Sequence, residues 1–269
     1  MGEDGKATRR SLRARVLCVI TAAHFAVGAI FPTGCASAST AVFDDFNGPA
    51  GAAPNPGWWS NVTGGDWDSG IETYRAADAV LDGQGNLAIR AVETEHGFES
   101  GRVQTKNKLS LGYGKITARI KMPSGQGLWP AFWLVGADED TTPWPNSGEI
   151  DVIELVSNAN TYHSTIHGPN NGNSGTYQVA FSGPIPDLST AFHEYWVKHV
   201  PDAITIGIDD MTIGTFTPDS LPAEARWIFN RPMYAILNLA VGGDWAGPPD
   251  NSTPLPATML VDWFRWEPM

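Results

Sequence analysis

Three carboxylic acids lie close together in the segment GEIDVIE at residues 148–154. Glu149, Asp151 and Glu154 are set among isoleucine and valine, a composition typical of a β-strand. Two carboxyl groups on either side of an acetal carbon can cleave a glycosidic bond, one as proton donor and the other as nucleophile. Retention of configuration needs these groups about 5–5.5 Å apart, and inversion needs about 6.5–9.5 Å. Acids on one face of one strand suit the shorter separation, so the segment predicts a retaining mechanism.

The spacing of the acids sets a condition on the strand that carries them. Side chains two residues apart share a face, so Glu149 and Asp151 should point the same way. Strict alternation would place Glu154 on the opposite face, but a β-bulge at residues 152–153 would return it. Asp151 can then orient Glu149, and its charge raises the pKa of Glu154 so that this group stays protonated. The alternative is a solvated acidic face without function.

Alternating polar and apolar residues dominate the chain after about residue 40 and predict β-strands. The clearest case is residues 115–121 (KITARIK), in which the even positions are apolar. Turn signals separate such segments, and no segment has a sustained 3.6-residue apolar period. This pattern predicts an all-β fold of two antiparallel sheets packed as a sandwich, with a concave groove suited to an extended ligand. The expected strands cover residues 86–92, 115–121, 163–167, 195–200, 203–208, 234–241 and 258–266.

Residues 1–38 have the features of a signal peptide for export. Four arginines within residues 9–15 precede an apolar run over residues 16–31, and residues 36–38 (ASA) form a small-residue cleavage pattern. Residues 8–12 (TRRSL) resemble a twin-arginine signal. We therefore expect a secreted protein, and the alternative is a cell-envelope lipoprotein attached through Cys35.

The remaining residues, 39–269, are expected to form a single domain because no repeat or low-complexity linker divides them. They contain no cysteine, so the domain has no disulfide. The chain has 17 basic and 29 acidic residues, and five of the basic but two of the acidic ones lie in residues 1–38, which leaves a formal net charge of −15. Such a charge disfavours nucleic acid and anionic membranes as partners but does not repel a neutral polymer. We expect a monomer that binds a polysaccharide, in keeping with eleven tryptophans whose rings can stack on sugars or pack in the core.

The carboxylate segment resembles the signature of glycoside hydrolase family 16, in its laminarinase-like branch of endo-β-1,3-glucanases. The resemblance extends through residues 100–102, 113–121, 128–134 and 236–245 and covers nearly all of residues 42–269. Two residues separate Asp151 from Glu154, as in laminarinases, agarases and carrageenases, whereas lichenases and xyloglucan transferases usually have one. The resemblance implies a β-jelly roll with a groove and hydrolysis of internal β-1,3 or mixed β-1,3/1,4 glucan bonds. Open alternatives are a transglycosylase, a galactan-directed hydrolase, and a carbohydrate-binding sandwich without catalysis.

The resemblance also implies roles for individual residues. Glu149 would be the nucleophile, Glu154 the acid/base and Asp151 the orienting acid, and Trp144 would stack on the sugar nearest the scissile bond. Further substrate-binding positions are expected at Trp129, Trp133, His167, Arg102, Trp245 and Glu72. Trp129 and Trp133 are four residues apart and would share a face of a strand, and the alternative is that one of them lies in the core. The alternative to substrate binding by Arg102 is an ion pair with an acidic residue at the surface.

Two departures from the family pattern place substrate preference in doubt. The segment GIETY at residues 70–74 keeps the glutamate and tyrosine of the laminarinase groove but not its amides. His167 is followed by Gly168 and Pro169, where an aromatic residue is common.

No cofactor is expected to be required for catalysis. The resemblance suggests a structural calcium ion at Asp45 and Asp262, which hard oxygen ligands suit. A zinc site at His163 and His167 is a weaker alternative, because no third ligand lies nearby in the sequence.

Overall fold

The computed structural model describes residues 40–65, 69–173 and 175–269. The signal peptide expected at residues 1–38 and the attachment site at Cys35 lie outside the described residues. Within the described ranges, residues form one compact unit. None of the helices in these ranges has both the length and the apolar character that crossing a membrane requires.

Seventeen strands occur in the described part of the chain. The first nine are β1 Val42–Asp44, β2 Ser60–Asn61, β3 Glu72–Tyr74, β4 Ala79–Leu81, β5 Leu87–Thr94, β6 Gly97–Ser100, β7 Arg102–Gln104, β8 Gly114–Lys121 and β9 Leu128–Gly136. The others are β10 Glu149–Glu154, β11 Thr161–Pro169, β12 Thr176–Pro184, β13 His193–Val200, β14 Ala203–Ile208, β15 Met211–Phe216, β16 Met233–Val241 and β17 Ala257–Pro268. Helical structure in the same ranges is limited to one four-residue α-helix, α1 Gly243–Ala246, and 3₁₀ turns at Ala76–Asp78, Asn171–Asn173 and Pro218–Ser220.

Two sheets form the fold. The first sheet has the strand order β15-β14-β13-β8-β17-β5-β6-β3, and in addition β1 pairs with β17 and β4 pairs with β5. The second sheet has the order β12-β11-β10-β9-β16-β7-β2. All pairings are antiparallel among the described strands except that of β3 with β6. The prediction of an all-β, two-sheet antiparallel jelly roll is confirmed, and each of the seven expected strands lies within or nearly coincides with an observed one.

The alternation read from the sequence separates core from surface as expected. On β8, Ile116, Ala118 and Ile120 are fully buried, whereas Lys115 and Arg119 reach solvent. On β9, Phe132 and Leu134 point into the same core from the second sheet. Full burial of one such side chain stabilises the fold by about 1.5–3 kcal/mol. The opposite side of β9 is therefore left for the cleft.

Candidate active site

The carboxylate strand β10 contains the bulge that the sequence required. Between Asp151 and Glu154, the pairing of β10 with both neighbouring strands shifts register. On β9, Asp151 lies opposite Trp133, and the next paired residue is Ile153, opposite Phe132. Val152 and Ile153 are consecutive residues, yet both are fully buried in the core between the sheets. One extra residue is thus absorbed on the core side, and the prediction of a bulge at residues 152–153 is confirmed.

The bulge leaves a carbonyl group outside the regular ladder, and a neighbouring hydroxyl satisfies it. Ser164 on β11 is fully buried, and its Oγ donates a hydrogen bond of 2.8 Å to the carbonyl oxygen of Val152. A buried carbonyl without a partner would cost about 1–3 kcal/mol. Ser164 therefore stabilises the irregular backbone that presents the acids.

All three acids pair with alternate residues of each neighbouring strand, so they emerge on one face of the sheet. The partners on β9 are Val135, Trp133 and Ala131, and those on β11 are His167, Thr165 and His163. Glu149, Asp151 and Glu154 line one cleft of about 800 Å³. The structure therefore brings the three carboxylates together at the site that the sequence analysis assigned to them.

His167 joins two of the acids in a compact cluster. Its Nε2 is 3.1 Å from Oδ2 of Asp151 and 3.8 Å from Oε1 of Glu149. The side chains of Glu149 and His167 remain 19% and 22% exposed, whereas Asp151 is buried beneath them. Glu149 thus keeps access to the cleft, and Asp151 lies within hydrogen-bonding distance of His167.

Glu154 is buried like Asp151, and its surroundings favour the neutral form of its carboxyl group. The residue is 8% exposed, and burial is the largest cause that raises its pKa well above the usual range. The negative charges of Asp151 and Glu149 raise the pKa further. An opposing contribution comes from Trp129, whose indole Nε1 donates a hydrogen bond of 2.9 Å to Oε1 of Glu154. The sequence analysis named the charge of Asp151 as the cause, and the structure adds burial as the larger one.

The four tryptophans expected to bind substrate all line the cleft. Trp144 and Trp245 present open surface, with 47% and 48% exposed. Trp129 packs edge-on against Trp245 with ring centres 5.3 Å apart, and Trp245 also packs against His163 at 4.7 Å. Trp129 and Trp133 both occupy the cleft side of β9, so the alternative that one of them is a core residue is wrong.

Arg102 also lines the cleft, although it is not a surface residue. It is buried, and its guanidinium carbon lies 4.9 Å from the centre of the Trp133 ring. The indole Nε1 of Trp133 in turn donates a 2.7 Å hydrogen bond to Oδ1 of Asn238. The guanidinium therefore supports a cleft tryptophan from one side while Asn238 fixes it by the ring nitrogen.

Glu72 lies behind the cleft rather than in it. It is buried, it is not among the residues that line the cleft, and its Oε2 accepts a 2.9 Å hydrogen bond from the backbone N–H of Val241. Burial is the main cause that raises its pKa. The placement of Glu72 therefore does not support the expectation that it contacts substrate. Its carboxyl group ties β3 to the end of β16.

Glu139, Tyr234 and Asn238 are among the cleft-lining residues that the sequence analysis did not single out as binding positions. Tyr234 donates a 2.8 Å hydrogen bond to Oε2 of Glu139, and Lys106 lies 2.7 Å from the same oxygen. Tyr234 and Asn238 are four residues apart on β16 and share its cleft face. That alternation was visible in the sequence, but nothing there indicated which face of β16 would line the groove.

The side chains expected to bind calcium have other partners. Asp262 forms an ion pair with Arg119, which supplies the positive charge that calcium would otherwise provide. Both carboxylate oxygens of Asp45 accept hydrogen bonds from Asn47. Neither acid belongs to a group of three or more potential ligand residues in the described ranges. These two side chains, as arranged, do not fit a calcium site, and calcium binding stays an untested prediction.

Comparisons with known proteins agree on one family. The sequence pattern of glycosyl hydrolases family 16 matches residues 68–265. A beta-glucanase of Rhodothermus marinus is 31% identical over 232 residues, which cover 79% of this chain and 81% of that protein. The laminarinase catalytic domain of Thermotoga maritima is 31% identical with a TM-score of 0.75, covering 87% of this chain and 98% of that one. An endo-β-1,3-glucanase of Pyrococcus furiosus is 33% identical with a TM-score of 0.75, covering 85% and 94%. The chain is therefore a glycoside hydrolase and belongs to family 16.

Proposed function

We propose that this chain hydrolyses internal β-1,3 bonds of glucan, alone or next to β-1,4 bonds, with retention of configuration. The observation that carries the proposal is the bulged strand β10, which presents a cleft-accessible Glu149 and a buried Glu154 on one face, with burial raising the pKa of Glu154. The glucanases to which the chain is similar support glucan as the substrate. All residues used in the proposal lie in one chain, and we propose that a monomer acts without a cofactor.

In the first step, a carboxylate oxygen of Glu149 attacks the anomeric carbon as the bond to the leaving oxygen breaks. Glu154 gives its proton to that oxygen, which departs as the hydroxyl of the released chain. The product is a glycosyl ester of Glu149 and an ionised Glu154. The raised pKa of Glu154, caused first by burial and then by the charges of Asp151 and Glu149, suits this step because it favours the protonated form of the group.

In the second step, Glu154 acts as a base. Esterification removes the charge of Glu149, and with it one of the causes that raise the pKa of Glu154. Glu154 takes a proton from water while the water oxygen attacks the anomeric carbon and releases Glu149. Two displacements restore the original configuration and both starting protonation states. The hydrogen bond from Trp129 stabilises the ionised form of Glu154 during this step.

The cleft offers aromatic surfaces of the kind that bind sugar rings. Trp144 and Trp245 are about half exposed and line the cleft, so their rings are available to stack on glucose units. The hydroxyl and amide groups of Tyr234, Asn238 and Gln178 provide hydrogen-bonding partners along the same surface. These features support a neutral polysaccharide as substrate.

The assay is release of reducing ends from laminarin by the purified protein. Glu149→Ala and Glu154→Ala should each lower kcat at least about 1000-fold, because each removes a group that acts directly on the bond. Glu93→Ala, which removes an exposed acid on β5, is the matched control and should leave kcat unchanged. Circular dichroism melting curves verify that each variant is folded. Normal turnover by either folded active-site variant would overturn the assignment.

The products separate the remaining alternatives. Proton NMR of the first products should show the β anomer, and a first product of α configuration would overturn retention. Parallel assays on lichenan, agarose and carrageenan test a galactan-directed enzyme. Products longer than the substrate would indicate a transglycosylase, and binding without new reducing ends would indicate a carbohydrate-binding sandwich.

We further propose that the protein is secreted, on the strength of the pattern in residues 1–38 alone. N-terminal sequencing of protein recovered from the culture medium tests this. A mature chain that begins near residue 39 would support the proposal, and a chain retained in the cell with residues 1–38 intact would contradict it.

A further inference from the structure

The cluster formed by Glu149, Asp151 and His167 has the composition of a transition-metal site. It provides two carboxylates and an imidazole, and one ligand atom from each residue lies within 4.8 Å of the other two. Imidazole and carboxylate ligands suit Zn²⁺. Calcium and magnesium instead prefer six or more oxygen ligands, which three side chains do not supply.

The distances in the cluster are near those that a bound zinc ion imposes. Zinc–ligand bonds of about 2.0–2.2 Å at tetrahedral angles place ligand atoms about 3.4 Å apart. Nε2 of His167 lies 3.1 Å from Oδ2 of Asp151 and 3.8 Å from Oε1 of Glu149. Side-chain rotations that move atoms by a few tenths of an ångström therefore suffice to bring these two pairs to the required spacing.

The backbone holds the three ligands on two paired strands. Glu149 lies directly opposite His167, and Asp151 lies opposite Thr165, two residues along β11. Ligands on strands are held more precisely than ligands on loops, so the side chains lose little conformational freedom when an ion binds. Glu149 and His167 retain exposed surface toward the cleft, which gives an ion a path of entry and leaves a fourth coordination position for water.

We propose that Glu149, Asp151 and His167 bind a divalent transition-metal ion such as Zn²⁺, and that the bound ion reversibly inhibits the enzyme. A Glu149 carboxylate that coordinates zinc is not available to attack an anomeric carbon. The ion also occupies the place of the sugar at the centre of the cleft, so metal and substrate compete. Metal binding itself does not depend on the proposed function, and only the inhibition rests on it.

Binding is tested by titrating Zn²⁺ into the full chain, without a histidine tag, in an isothermal calorimeter. The wild-type protein should bind one ion at this site. His167→Gln should weaken binding by at least about 100-fold, since even partners outside the ligand set account for about 10–100-fold. The matched control is His163→Gln, the same change four residues away on the same strand, in register with Glu154. It should alter affinity less than about twofold.

Several results would overturn the site. They are the absence of binding at 1 mM Zn²⁺, equal losses in the two histidine variants, and unchanged affinity in a folded His167→Gln protein. Glu149→Gln, which preserves the shape of the side chain, is a second variant and should also weaken binding at least about tenfold. Visible absorption of bound Co²⁺ should show four- or five-fold coordination in the wild type and lose intensity in His167→Gln.

Inhibition is tested separately with laminarin as substrate. Zn²⁺ should raise the apparent KM without lowering kcat, and EDTA should restore the original rate. Binding in the calorimeter without competition in this assay would overturn the inhibitory role while leaving the site in place. A protein that binds Zn²⁺ but never cleaves laminarin would contradict the proposed function and not the metal site.

Discussion

Trp129→Phe isolates the hydrogen bond that reaches the proposed acid/base. The substitution retains an aromatic ring in the cleft but removes the indole N–H, which lies 2.9 Å from Oε1 of Glu154. A hydrogen bond to an ionised group contributes about 1.5–3 kcal/mol, and one to a neutral group contributes about 0.5–1.5 kcal/mol. The bond therefore favours the ionised form of Glu154 by about 1–1.5 kcal/mol, and its loss should raise the pKa of Glu154.

The sign of the effect on activity follows from the role of the group. Glu154 must be protonated to act as an acid, so activity is lost as the pH rises through its pKa. Loss of the bond should multiply the ratio of protonated to ionised Glu154 by about 5 to 13 at a fixed pH. On the alkaline side of the profile, kcat/KM relative to the variant's own maximum should rise by the same factor.

The assay is the pH dependence of kcat/KM on laminarin, which reports groups of the free enzyme. Trp133→Phe is the matched control, because Trp133 is on the same strand and lines the same cleft but donates to Asn238. It should change KM and leave the alkaline side of the profile in place. An unmoved profile for Trp129→Phe, a move to lower pH, or an equal move in both variants would refute the reasoning.

Two further substitutions test the charge and the core. Asp151→Asn removes a negative charge that raises the pKa of Glu154, so the alkaline side of the same pH profile should move to lower pH, opposite to Trp129→Phe; an unchanged profile would contradict this. Phe132→Ala empties a fully buried position that packs edge-on against Phe264, and urea denaturation should show a loss of about 3–5 kcal/mol. Phe43→Ala, at an exposed position on β1, should cost less than about 1 kcal/mol, and equal losses would show that burial is not the cause.

The sequence was sufficient for seven strands, for the carboxylate strand β10 and for the irregularity within it, but not for the other described strands. Alternation along residues 115–121 reflects burial of every second side chain, so it identifies β8 without any long-range information. The bulge was predictable for a different reason. Glu149 and Glu154 are an odd number of residues apart, and a shared function for both acids demands one extra residue between them.

Contacts between distant strands were beyond the reach of local patterns. The hydrogen bond from Trp129 to Glu154 depends on the register of β9 against the shifted half of β10. Glu72 resembled a groove residue in sequence, yet the position of β3 behind the end of β16 buries its carboxyl group against the backbone of Val241. In both cases the pairing partner is set by the assembled sheet and not by neighbours in the chain.

The bulge in β10 also bears on how such a site tolerates insertions and deletions. A regular strand with acids at three alternate positions would display them all on one side, as happens when a single residue separates the second and third acids. Deletion of Val152 would straighten the backbone and release Ser164 from its present hydrogen bond, without turning any acid toward the core. The two known spacings of the motif are therefore one codon apart, and an evolving lineage can pass between them while keeping all three acids in the cleft.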